Sequence, residues 1–199
     1  SISDMLNAFS DVAAAPTDMT ARTVVLTRVE ETAARLRSAA QQLDDLQIGV
    51  SQELSQKITT INSLAQSIAQ VNDQISQTKG SPQDPNDLLD RRDQLIKELN
   101  QYVQTTSVKA DDGSVSIYIA GSQELVLGNT ASKVALVNDD FGDSRSSKLA
   151  IMRAGTPLQL DENALGGGEV SGLLRFQNQD LNEARNLLGR ITLAVTTSM

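Results

Sequence analysis

Five acids lie along one predicted helix: Asp84, Asp87, Asp90, Asp93 and Glu98. Steps of three place Asp87, Asp90 and Asp93 near one another on a helical surface, where carboxylates can ligate a divalent cation or relay a proton. Arg91 and Arg92 sit among them and neutralise the cluster. The pattern therefore reads as a solvated face laced with weak i,i+3 and i,i+4 ion pairs. A second candidate, Asn138-Asp139-Asp140-Phe141-Gly142-Asp143-Ser144, lacks the alternating oxygens and closing Glu of a calcium loop. Gly166-Gly167-Gly168 ahead of a helix could offer N–H groups to an anion. It lacks the Lys and Ser/Thr of a phosphate loop, and Glu169 would repel phosphate. No catalytic, cofactor-binding or metal residues are assigned.

The residue inventory narrows the chemistry further. The 199 residues contain no His and no Cys, which removes imidazole bases, thiolate nucleophiles, disulfides and the usual zinc sites. With 17 Lys+Arg against 25 Asp+Glu the net charge is −8, so nucleic acid and anionic membrane are not expected as partners. Aromatics are 3% with no Trp, leaving little on which bases or sugars could stack. No apolar run reaches the length of a membrane-spanning helix, and the first residues do not read as a signal peptide. The chain begins without Met and stops inside an apparent helix, so it is expected to be part of something longer.

The elements around these residues are mainly helical. From Asp18 to about Lys79 there is no proline, and two apolar series recur every seven residues. One is Leu54, Ile61, Ile68 and Ile75; the other is Leu36, Leu43, Val50, Leu64 and Val71, broken by Lys57. Offset by three or four, they form one stripe of a helix packed lengthwise on other helices. Gln56, Thr59, Asn62, Gln66, Gln70 and Asp73 are assigned to the solvated faces. About sixty residues at roughly 1.5 Å each predict a rod of about 90 Å. Gly49 interrupts it, either as a bend, as a close helix approach or as a tolerated glycine costing about 1 kcal/mol against Ala.

Ile2 to Ala15 forms a short amphipathic helix ended by Pro16, and Asp18 caps the long helix. Gly80 to Asp84 is a turn after Lys79. Asp84 caps the next helix, with Pro85 in its first position and Asp87 as the capping-box acid. Leu88, Leu95 and Leu99 are expected on the Ile61, Ile68 and Ile75 face. Near Gln104 the period changes to two. Asp111-Asp112-Gly113 marks a hairpin into Val115, Ile117 and Ile119, and Glu124 to Leu127, Val134, Leu136, Leu149, Ile151 and Met152 mark further strands. Asn138 to Ser147 reads as an acidic loop. A helical pattern resumes at Ser171 and buries Leu188.

The fold class is α+β, mainly α: an elongated bundle with one very long helix and a small inserted antiparallel β subdomain. A discontinuous helical domain (1–104 plus 170–199) flanks the β subdomain (105–169). With the three helices packed, no second long apolar stripe is expected on the surface, and the 199 residues alone are expected to stay monomeric.

Asn86-Asp87-Leu88-Leu89-Asp90-Arg91-Arg92-Asp93-Gln94-Leu95-Ile96-Lys97-Glu98-Leu99 closely resembles the NDLLDxRDxLxxEL segment of the bacterial flagellar hook-associated protein 1 family. Val71 to Ser76, Gly121 to Ala135, Gly172-Leu173-Leu174-Arg175-Phe176, Asp180-Leu181 and Ala184 to Gly189 are similar to that family in the same order. The resemblance implies a flagellin-like D1 rod, export without a cleaved signal peptide through the flagellar type III apparatus, and an extracellular place in the flagellum. It implies a ring of copies at the junction between hook and filament, touching hook protein and hook-associated protein 3. An export chaperone would bind outside residues 1–199, and the family's terminal segments and a larger β-rich insertion would also lie outside them. The alternative from composition alone is a secreted helical adhesin or translocator tip that binds a host surface. An enzyme is not expected.

If the acids are only solvated, Asp90→Asn combined with Asp93→Asn should change folding stability by less than about 0.5 kcal/mol. Calorimetric titration should find no tight calcium or magnesium binding; tight binding lost in the double variant would restore the cluster as a metal site.

Overall fold

A computed structural model describes residues 1–78, 85–138 and 145–197. The chain runs α1 (Ile2–Ala14), α2 (Met19–Gln77), α3 (Asn86–Tyr102), then strands β1 (Thr106–Lys109), β2 (Val115–Ile119), β3 (Gln123–Leu127), β4 (Thr130–Ala131), β5 (Lys133–Asn138), β6 (Ser147–Arg153) and β7 (Thr156–Gln159). A 3-10 turn (Glu162–Leu165), α4 (Glu169–Arg175), a π-helical turn (Phe176–Asp180) and α5 (Leu181–Thr197) complete it. The expected mixture of one very long helix and small antiparallel sheets is present. The turn at Gly80–Asp84, the Lys79 charge and the Asp84 cap lie outside the described residues. So does the acidic segment 139–144.

Contacts gather the chain into two units, Ser1–Ile48 with Leu181–Met199 and Gly49–Asp180. The first contains α1, the N-terminal part of α2, and α5. Asp18 caps α2 as expected, its Oδ1 accepting from the N–H of Thr20 at 2.8 Å and of Ala21 at 3.4 Å. Met5, Ala8, Val25, Leu181 and Val195 are buried, while Leu36, Leu43 and Leu188 are half-buried. Arg185 lies along α2 and donates to the Leu43 carbonyl (3.2 Å), Gln47 Oε1 (3.1 Å) and Asp44 (3.1 Å). Large apolar side chains do remain exposed here, with Met19, Leu26, Leu46, Ile48, Leu187 and Leu193 among them. α1 and α5 thus leave part of this unit's apolar surface uncovered.

The second unit holds the main core. Leu54, Ile61 and Ile68 of α2 are fully buried together with Leu99 and Val103 of α3, Ile117 and Ile119 of β2, Leu125 and Val126 of β3, Val134 of β5, Leu149 and Ile151 of β6, and Leu174 of α4. Leu95 packs on this cluster half-buried. Helices and sheets thus share one core. Gly49 is not a close-approach glycine, since a Cβ there would meet nothing within 4 Å.

The strands form two antiparallel sheets, β1-β2-β3-β4 and β5-β6-β7, where one β unit was expected. Two strands, β4 and β7, were not expected; β7 pairs with β6 through a two-residue turn, Ala154-Gly155, with both residues in the left-handed region (φ 48° and 83°). Pro157 hid it, because proline in a strand fits only an edge. Two helical expectations also shift. α3 begins one residue later than expected, with Pro85 at the N-cap and no side-chain cap, which puts Asp87 second in the helix and outside capping-box position. The last helical pattern starts at Glu169 and is broken by the π turn, where Gln177 is buried and donates to Ser51 Oγ (2.9 Å).

Truncation should report the difference between the two stretches of stripe. Ile61→Ala or Ile68→Ala should lower stability by about 2–5 kcal/mol. Leu36→Ala, at a half-buried position, should cost clearly less in the same urea titration.

Candidate functional site

Asp87, Asp90, Asp93 and Glu98 all face solvent. Among the described residues, no three acids come close enough together to hold a metal ion. Arg91 is exposed as well, but Arg92 is not on that face. It is only 4% exposed, so reading it as a neutraliser of the acidic surface is corrected. Its Nη1 donates to the Gly113 carbonyl in the β1–β2 turn at 2.7 Å and makes a long contact of 3.5 Å to Asn72 Oδ1. Burial lowers its pKa from the ordinary arginine value, opposed by the nearby Asp93 charge. Its Nε has no hydrogen-bond partner.

Asn72 is the centre of this polar seam and was missed from sequence. It is 1% exposed. Its Oδ1 accepts from the Val115 N–H (3.1 Å), and its Nδ2 donates to the Val115 carbonyl (2.8 Å) and the Gly128 carbonyl (2.8 Å). The β2–β3 ladder begins at Ile117↔Val126, so the amide continues it by one pair where β3 has ended. Ten residues earlier, Asn62 makes the same two-bond ring with Val134 at the start of β5, accepting at 2.8 Å and donating at 2.9 Å. Asn62 was assigned to the solvated face; it is half-buried and holds a strand instead. A signal did exist. Ile58, Ala65 and Asn72 are a third seven-residue series, and all three are buried.

The glycine run is explained by close approach. At Gly168 (φ +107°) a Cβ would lie 2.7 Å from the Tyr102 carbonyl oxygen and 2.9 Å from Val103 Cα, so only glycine fits at the end of α3. Gly167 donates its N–H to Gln104 Oε1 at 2.9 Å and accepts from the Gln104 N–H at 3.0 Å. That amide is thus engaged by the protein. Glu169, expected to repel phosphate, pairs with Lys57, which also approaches Glu53 at 3.4 Å. Lys57, which breaks the apolar series, holds its ammonium over the Tyr102 ring, 5.6 Å from the centroid. Its hydrogen bond to Glu169 raises its pKa above the ordinary lysine value.

What the polar side chains of this seam do is bind strand ends, turns and helix ends to the long helix. That is the chemistry of a structural module built for shape. The chain belongs to the family of the flagellar hook-associated protein FlgK helical domain, whose family model matches residues 1–199. It is 34% identical over 179 residues to flagellar hook-associated protein 1 of Salmonella typhimurium, covering 89% of this chain and 32% of that one. Identity to the Escherichia coli K12 protein of the same name is also 34%, over 89% of this chain and 33% of that one. The solved structure of the flagellar hook junction protein FlgK from Burkholderia pseudomallei superposes with a TM-score of 0.86 at 31% identity, over 94% of this chain and 34% of that one. The chain thus spans about a third of the relatives it matches.

Asn72→Ala would strand a buried N–H and two carbonyls and should cost about 3 kcal/mol. Asn62→Ala, where water can replace the amide, should cost about 1 kcal/mol. Equal losses in urea denaturation would refute the ranking.

Proposed function

We propose that this chain contributes a structural domain to the junction between hook and filament of a bacterial flagellum. The observation that carries the reading is the superposition on the hook junction protein over nearly the whole chain. It is supported by the polar seam, whose groups are engaged in holding the fold together. In the full-length protein the helical domain (1–104 plus 170–199) and β subdomain (105–169) act as a scaffold without catalysis. Copies associate in a ring, with hook protein and hook-associated protein 3 as neighbours and an export chaperone acting on another region. Export occurs unfolded and without a cleaved signal peptide, which places the protein outside the cell. The net charge of −8 opposes nucleic acid and anionic membrane as partners. No helix among the described residues is long and apolar enough to cross a membrane.

Deleting the full-length gene in its host should leave hooks without filaments in electron micrographs and abolish swimming, with both restored by the intact gene. Normal filaments in the deletion strain would overturn the junction role and favour a secreted adhesin.

A further inference from the structure

β1 is an outer strand of its sheet, and all four of its residues are exposed. Ala110 donates its N–H to the Ser114 carbonyl at 2.9 Å, and alternation then makes Val108 and Thr106 the residues bonded to β2. The N–H and C=O of Ser107 and Lys109 therefore point away from the sheet. Val115, opposite Lys109, confirms the phase by giving its own N–H and C=O to Asn72. Other outer strands are blunted. Val134 of β5 is occupied by Asn62, β7 carries Pro157, and β4 has two residues.

An opening of about 390 Å³ runs beside β1. One stripe of α3 (Asp93, Ile96, Lys97 and Asn100) forms one wall, and Ser107 and Lys109 of β1 with Val115 of β2 form the other. A free strand edge facing a helix across a groove is the geometry by which extended peptides add to a sheet. Lys97 and Lys109 are exposed, and among the described residues neither has an ion-pair partner. Two lysines against Asp93 make the groove locally positive on a chain of net charge −8. We propose that this groove is a strand-addition site for an extended acidic segment of a partner protein. Its backbone pairs with Ser107 and Lys109, and the carboxylates on its α3-facing side meet Lys97 and Lys109, while the alternate side chains point to the opposite face. A second copy is disfavoured as occupant, since its β1 (Thr106–Lys109) brings another lysine and no carboxylate to the groove.

Fluorescence anisotropy on the 199-residue chain tests this with dye-labelled acetyl-Glu-Val-Glu-Val-Glu-amide and its Lys-for-Glu counterpart. The acidic peptide should bind at least about tenfold more tightly. Lys97→Glu with Lys109→Glu should reverse the preference. Ser107→Pro removes an outward N–H from an edge strand that tolerates proline, and should weaken binding about tenfold with an unchanged far-ultraviolet dichroism spectrum. If that variant misfolds, the charge reversal decides. Equal affinity for the two peptides, or full binding by a folded Ser107→Pro chain, overturns the proposal. Self-association without peptide binding, abolished by Ser107→Pro, also overturns it and gives the edge to a second copy.

Discussion

Burial of one face of α2 governs the second unit. Leu54, Ile61 and Ile68 lose all solvent contact, and no single neighbour achieves this. α3 supplies Leu99 and Val103, the first sheet supplies Ile117, Ile119, Leu125 and Val126, the second supplies Val134, Leu149 and Ile151, and α4 supplies Leu174. Strands of two to seven residues in sheets of three or four would be marginal alone. Pressed on the apolar ridge of Leu54, Ile61 and Ile68, they gain the buried area they lack.

Apolar contact fixes which surfaces meet but tolerates sliding, and the asparagines remove that freedom. Asn62 and Asn72 each bond both backbone groups of a single valine, Val134 and Val115. A one-residue slip would present a residue whose N–H and C=O face the other way, leaving the amide and the strand unsatisfied together. Arg92 adds to this lock by reaching the Gly113 carbonyl. A guanidinium buried with an unpartnered Nε is costly, and the carbonyl it engages belongs to the same turn that Asn72 secures.

The sequence made the elements legible because each has a local cause. Asp18, the Asp111-Asp112-Gly113 turn and the alternation from Val115 to Ile119 predict their structures without knowledge of neighbours. Positions set by tertiary contact were not legible. The buried face of α2 is wider than two heptad series, since sheets cover the helix beyond the seam that another helix would fill; hence Ile58 and Ala65 are buried and Asn62 is drawn to a strand. Arg92 sits among Asp90, Arg91 and Asp93, where charge alone suggests solvent. Its position in the series Leu88, Leu89, Arg92, Leu95, Ile96 places it on the inward side. The acids were read as solvated for the same reason that Arg92 was misread: local charge says nothing of what covers a face.

The same limit applies along α2 itself. Leu36 and Leu43 obey the seven-residue spacing as faithfully as Leu64 and Val71, yet the first pair is half-buried and the second buried. Periodicity states which side of a helix is apolar, and burial depends on how much surface its neighbours supply. In the first unit those neighbours are α1 and α5, of 13 and 17 residues, which bury Met5, Ala8, Val25, Leu181 and Val195 but leave Leu36, Leu43 and Leu188 half-covered. With fewer buried side chains, such a region has a lower free energy of local opening than a core like that around Ile61. The heptad spacing thus recurs along α2 on both sides of Lys57, while the stability it confers differs between the two stretches.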